Sequence, residues 1–185
     1  MNGPFSMRQE GPATEHIRHG EVRIAASPDA CFSTILGSCV ATILWDPERG
    51  VGGMNHLLLP PRALATPREQ GPEVNLLELL INGVVAAGAE RQRLRAKIFG
   101  GARMLDGRGS TGDANVAFVE GFLREEGIAC VAASTGGRQA RRLRAWPAFG
   151  RVQQLRLRER DAARLALETG TKADGARKLS GVELL

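Results

Sequence analysis

The chain has 185 residues, enough for one domain with a substantial core, and 43% of them are hydrophobic against 24% charged, the balance of a folded globular protein. Aromatic residues make up only 4%, with no tyrosine, which argues against base-stacking platforms and aromatic cages and makes nucleic acid an unlikely partner. The net charge of +5 is uneven: it gathers in the arginine-dense stretch 137–160, which suits either an acidic partner surface or plain solvated strand faces.

Residues 1–19 are polar and rich in Gly and Pro, and read as a flexible arm carrying His16 and His19; they lack the apolar stretch of a signal peptide. "EVRIAAS" (21–27) and "CFSTIL" (31–36) read as short strands separated by the turn Ser27-Pro28-Asp29. "CVATILWD" (39–46) and "VGGMNHLLLP" (51–60) are two further β-rich runs joined by a short turn at Asp46-Pro47 and Arg49-Gly50. That pattern predicts a hairpin bringing positions 39 and 56 near one another. "PPRALATPREQGP" reads as a loop. Helix periodicity follows over 73–90, with Leu77, Leu80, Ile81, Val84 and Gly88 on one face. "LRAKIFGG" returns to strand. A second helix over 113–127 carries Val116, Val119, Phe122 and Leu123 on one face, Asp113 at its start and Gly127 as its stop. "IACVAAS", "RQARRLRAW" and "RVQQLRLRE" complete the strands, the last two as a hairpin around "PAFG". Residues 159–185 form a tail, partly disordered or helical. Strands in runs with interposed helices favour an α+β fold over a doubly wound sheet.

No apolar run reaches membrane-spanning length, so membrane insertion is not expected. Three cysteines, Cys31, Cys39 and Cys130, have no framework spacing, which predicts free thiols and a cytoplasmic setting. With one histidine in the body of the fold there is no zinc set, and no phosphate-binding loop motif occurs. The chemistry that remains is nucleophilic. Cys39 follows Gly37 and Ser38, a break that lets the backbone turn so that amides aim at the sulfur and at an oxyanion. His56 stands before an apolar run and is of the residue type that most often serves as base for a thiol. A hydroxyl of Ser33 or Thr34 could accept the imidazole N–H and fix its tautomer. On residue type alone, each of these is also an ordinary core or strand residue.

In combination the pieces become specific. "LGSCV", then "GGMNHLLLP" with the histidine seventeen residues beyond the cysteine, then "KIFGGARM", "NVAFV" and "TGGRQARR", resemble the chemoreceptor glutamine deamidase family, CheD, in unbroken order from about residue 20 to 158. The resemblance implies a deamidase domain over 20–158. Its implied fold is a four-layer α/β/β/α sandwich of mixed sheets flanked by helices, similar to the glutamine-deamidating toxins. By position it assigns Cys39 as nucleophile and His56 as catalytic histidine. The third member, a threonine six residues before the cysteine, falls on Ser33, with Thr34 as possible substitute. Gly37 and Ser38 would contribute backbone to the oxyanion site. The implied reaction is a cysteine-dependent, cofactor-free hydrolysis of glutamine side chains on the cytoplasmic helices of chemotaxis receptors, through a thioester, creating glutamates that accept methyl groups. The family also implies a CheC-type phosphatase as a possible partner. A non-catalytic module that docks on receptor helices or on that phosphatase is the alternative from a different class, and a transglutaminase shares the Cys-His chemistry.

Overall fold

The computed structural model describes residues 14–58, 71–103, 111–158 and 182–184. These residues form two five-stranded mixed sheets and two helices. The first sheet has the order β1-β3-β8-β9-β10, from β1 (Thr14–His16), β3 (Cys31–Leu36), β8 (Arg141–Trp146), β9 (Arg151–Arg156) and β10 (Val182–Leu184). The second has the order β2-β5-β4-β6-β7, from β2 (Val22–Ala25), β5 (Val51–Asn55), β4 (Val40–Asp46), β6 (Arg95–Gly100) and β7 (Ala129–Thr135). Helix α1 (Gly71–Ala86) and helix α2 (Thr111–Glu125) both lie against the second sheet, α2 as the crossover between the parallel pair β6 and β7. The mixed-sheet α+β class expected from the chain order is therefore present. The described layers are helix, sheet and sheet; among the described residues no α-helix covers the first sheet, where the resemblance implies a fourth layer, and the loop over 59–70 and most of the tail lie outside the described residues.

Two cores follow from this layering. Leu77, Leu80, Ile81 and Val84 of α1, together with Val119 and Leu123 of α2, meet Val40, Leu44, Ala96 and Ile98 of the second sheet. Each such side chain is worth about 1.5–3 kcal/mol of burial. Between the sheets, Ala41, Ile43, Trp45, Met54 and Phe99 meet Phe32, Leu36, Leu143, Ala145 and Val152. Strand β4 is covered on both faces, which is why "VATILWD" reads as a continuous run and is buried at every position. In β8, by contrast, Arg141, Leu143 and Ala145 are buried and Arg142, Arg144 and Trp146 face outward. The arginine stripe thus belongs to the outer face of the first sheet, where Arg144 and Arg151 stack on Trp146.

The predicted β4–β5 hairpin is present. Its turn is organised by the buried Asp46 carboxylate, which accepts N–H groups of Glu48, Arg49 and Glu90 and faces Arg93. The expected loose arm needs correction over its last residues. Thr14–His16 pairs in parallel with Cys31–Ser33, and Ile17 is fully buried with its N–H on the Ser33 carbonyl at 2.8 Å. Three residues leave no periodicity to read; what makes them a strand is a distant partner.

Candidate active site

The break after Leu36 is where the chain leaves one sheet for the other: β3 belongs to the first, β4 to the second, and Gly37-Ser38-Cys39 is the whole link. All three carbonyls of that link are anchored. Gly37 O accepts from Ala102 N at 2.8 Å, Ser38 O from Asn115 Nδ2 at 2.7 Å, and Cys39 O from Gly101 N at 2.8 Å. A planar trans peptide points its N–H opposite its C=O, so fixing the Gly37 and Ser38 carbonyls turns the N–H groups of Ser38 and Cys39 the other way. Neither donates a backbone hydrogen bond among the described residues, and the Cys39 amide reaches its own sulfur. The close approach depends on Gly100, at φ +114°, where a Cβ would stand 2.1 Å from Cys39 O.

His56 lies just beyond β5. The β4–β5 register continues through a bridge in which Val40 and Leu57 exchange both N–H···O bonds at 2.8 Å. Ala41 is then opposite His56, and Cys39 is its diagonal neighbour on the same face, a relation with a spacing of about 7–8 Å between backbones that long side chains bridge. That face looks into the layer between the sheets, where Cys39 packs against the Met54 and Ala41 cluster.

Thr34 comes from the facing sheet. Its Oγ1 lies 2.8 Å from His56 Nδ1 and 2.8 Å from the Ile17 carbonyl. A carbonyl has no proton to give, so the single hydroxyl proton goes to Ile17 O and the contact with the ring is Nδ1–H donating to Oγ1. The neutral imidazole therefore carries its lone pair on Nε2, which is buried with no hydrogen-bond partner among the described residues. Ser33 does not make this contact. Neighbouring strand residues point to opposite faces, and the Ser33 hydroxyl lies 3.4 Å from His16 Nδ1 on the far side of the sheet. Of the two hydroxyls the resemblance offers, Ser33 and its possible substitute Thr34, it is Thr34 that meets the histidine.

Burial governs the charge state of the pair. It pushes His56 down to about 4, helped by the charges of His19 and His16 and opposed by the Ile17 carbonyl and Glu21. It pushes the half-exposed Cys39 thiol up, against the pull of its own amide. At neutral pH the resting pair is thiol and neutral imidazole, with the imidazole oriented to receive a proton. Among the described residues no group of three His, Cys, Asp or Glu side chains could hold a metal.

Ile17, His19, Asn115 and the Gly100–Ala102 turn were not singled out from the sequence. Asn115 carried a signal: it is a polar residue one helical turn before Val119, on the buried face of α2. The Gly pair ending "KIFGG" was another.

A family model described as CheD chemotactic sensory transduction matches residues 74–156. A protein of Caulobacter sp. (strain K31) is 47% identical over 159 residues, covering 83% of this chain and 84% of its own. One of Rhizobium etli (strain CIAT 652) is 48% identical, covering 88% and 91%. One of Cereibacter sphaeroides (strain ATCC 17029 / ATH 2.4.9) is 49% identical, covering 79% and 73%. Each is named a probable chemoreceptor glutamine deamidase CheD. The chain belongs to the CheD family. Among solved structures, YfiH of Bacillus licheniformis is similar at 16% identity and a TM-score of 0.39, covering 61% of this chain and 49% of its own. A Neisseria meningitidis protein is similar at 8% identity and a TM-score of 0.42, covering 67% and 64%.

Proposed function

We propose that the protein is a glutamine deamidase acting on chemotaxis receptors, with Cys39 as nucleophile, His56 as proton carrier and Thr34 as the residue that orients His56. The observation that carries this reading is the tautomer: the Ile17–Thr34–His56 chain leaves the lone pair on Nε2, and strand register puts His56 and Cys39 on the same inter-sheet face. The sulfur attacks the side-chain carbonyl carbon of a substrate glutamine while Nε2 takes the thiol proton. A C–S bond forms, and the oxyanion falls to the N–H groups of Ser38 and Cys39, the contribution of the Gly37–Ser38 backbone. Each such donor is worth about 3–4 kcal/mol of barrier. The imidazolium returns its proton to the amide nitrogen, the C–N bond breaks, and ammonia leaves a thioester. His56 then activates a water that hydrolyses the thioester, giving glutamate and restoring the thiol. Each turnover adds one negative charge to the receptor.

The receptor substrate is supported by the names of the relatives, and the cytoplasmic setting and a CheC-type phosphatase partner by the family resemblance. No helix among the described residues is long and apolar enough to cross a membrane. A four-layer arrangement like that of the deamidating toxins extends the helix-sheet-sheet order above by one layer. The test is incubation with a receptor cytoplasmic fragment, reading Gln-to-Glu conversion by mass spectrometry. Wild type converts; Cys39→Ala and His56→Ala do not. Retention of a biological effect by Cys39→Ala would favour the binding-module reading instead, and incorporation of an added amine would favour transglutamination.

A further inference from the structure

A second histidine stands against the first. His19 is exposed on the connection between β1 and β2, and its ring meets His56 edge-on, with 5.9 Å between centroids and 87° between planes. The same connection grips the backbone of His56: Gly20 N–H donates to the His56 carbonyl at 2.9 Å, and His56 N–H donates to the Glu21 carbonyl at 3.1 Å. At the start of the connection, the Ile17 carbonyl takes the Thr34 hydroxyl. Residues 17–21 therefore hold the imidazole, its main chain and its hydrogen-bond partner together. The consequence is an unusual contrast, since His56 is 7% exposed although the residue against its ring is itself on the surface.

We infer that His19 is a positioning residue for the catalytic imidazole: its ring is the outer wall that keeps bulk water from His56, so that the proton taken from the thiol goes to the departing nitrogen and not to solvent. The inference rests on His56 being the proton carrier. Burial already holds the ring neutral, and the charged groups that face it are His19 and His16, which disfavour its protonation, and Glu21, which favours it; Arg142 and Arg18 act in turn on His16. Removing the His19 ring admits water and removes one repelling charge, and both changes favour the protonated imidazole. Replacing it with another ring keeps the wall and removes only the charge.

The chain has three histidines, so imidazole NMR resonances of the whole protein are assignable by single substitution. In the wild type His56 stays neutral down to about pH 4. In His19→Ala its midpoint moves up by about one pH unit or more, and the acid limb of the deamidation rate moves with it. His19→Ser, a second opening variant that touches no core residue, behaves like Ala. His19→Phe keeps the low midpoint and most of kcat. An unchanged His56 midpoint in both Ala and Ser variants overturns the inference, and so does a Phe variant that titrates like them. A midpoint that shifts while the acid limb of deamidation stays in place supports the wall and instead removes His56 from the proposed proton path.

Discussion

Thr34→Val is the substitution that tests the site most sharply, because it removes one hydroxyl and little volume from a fully buried position. The loss strands two groups, the His56 Nδ1–H donor and the Ile17 carbonyl acceptor, both inside the protein. Leaving a buried polar group unsatisfied costs about 1–3 kcal/mol. Borne by the imidazole in the transition state, that cost is a fall of about 5- to 150-fold in kcat, at about 1.4 kcal/mol per tenfold. The same loss lowers thermal stability by about 2–4 °C per kcal/mol in a domain of this size, so rates are compared well below the melting temperature. KM should change little, because the hydroxyl lies behind the imidazole and not on the substrate side. Thr34→Ser should recover most of kcat. Ser33→Ala should stay within about twofold of wild type, since it loses only a long contact to His16. Initial rates of Gln-to-Glu conversion by mass spectrometry give all four comparisons. A Ser33→Ala loss as large as that of Thr34→Val, or a Thr34→Val enzyme with unchanged kcat, would refute the assignment of the orienting hydroxyl.

Gly100→Ala should lower kcat by about a hundredfold, read in the same assay, because its Cβ would stand 2.1 Å from Cys39 O and must displace the nucleophile's link by an ångström or so. Asp46→Asn should destabilise the fold at pH 7 and flatten its acid dependence in urea melts. Burial of the Asp46 carboxyl pushes its pKa up, but the Glu90 N–H, Arg93 and the Glu48 and Arg49 N–H groups outweigh it and hold the group well below the usual carboxylate range. The folded pKa is therefore below the unfolded one, and the stabilisation is complete above about pH 4 and is lost as the pH falls below that. Arg144→Glu with Arg151→Glu should raise KM for an acidic receptor fragment with kcat unchanged, and the wild-type KM should rise with salt; turnover indifferent to ionic strength would remove the arginine face from substrate docking.

The elements that were legible in the sequence are those whose periodicity reflects a single buried face or a marked turn. Leu77, Leu80, Ile81 and Val84 trace the buried stripe of α1, and the Asp46–Gly50 turn announces the hairpin that brings Cys39 and His56 into diagonal register. The orienting hydroxyl was not legible because β3 is covered on both faces. Cys31, Phe32, Ser33 and Thr34 are all buried, so alternation carries no sign of which side looks inward, and a choice between adjacent hydroxyls needs the facing sheet. The Thr14–His16 strand was hidden for a related reason. Its sheet neighbour among the described residues lies at Cys31–Ser33, and nothing local in a three-residue segment encodes that pairing. The same omission concealed Ile17 and His19, since both reach the site through that strand and its connection to β2.

The charge state of the pair has a consequence for how such a nucleophile survives. A thiol is reactive as its thiolate, and a low-pKa cysteine in contact with solvent is the first to be oxidised or alkylated. Here burial pushes the Cys39 thiol up and the His56 imidazole down, so the resting site holds no ion pair. In the proposed mechanism the proton therefore moves only when developing charge has somewhere to go, which is when a carbonyl carbon is in place and the N–H groups of Ser38 and Cys39 receive its oxygen. Reactivity is then tied to an amide seated in the site. It follows that a small alkylating agent should modify Cys39 slowly at pH 7 in the wild type, and no slower when His56 is replaced by Ala, while deamidation is abolished by the same replacement. Rapid alkylation that depends on His56 would mean a standing thiolate-imidazolium pair, and the picture of a neutral pair would be wrong.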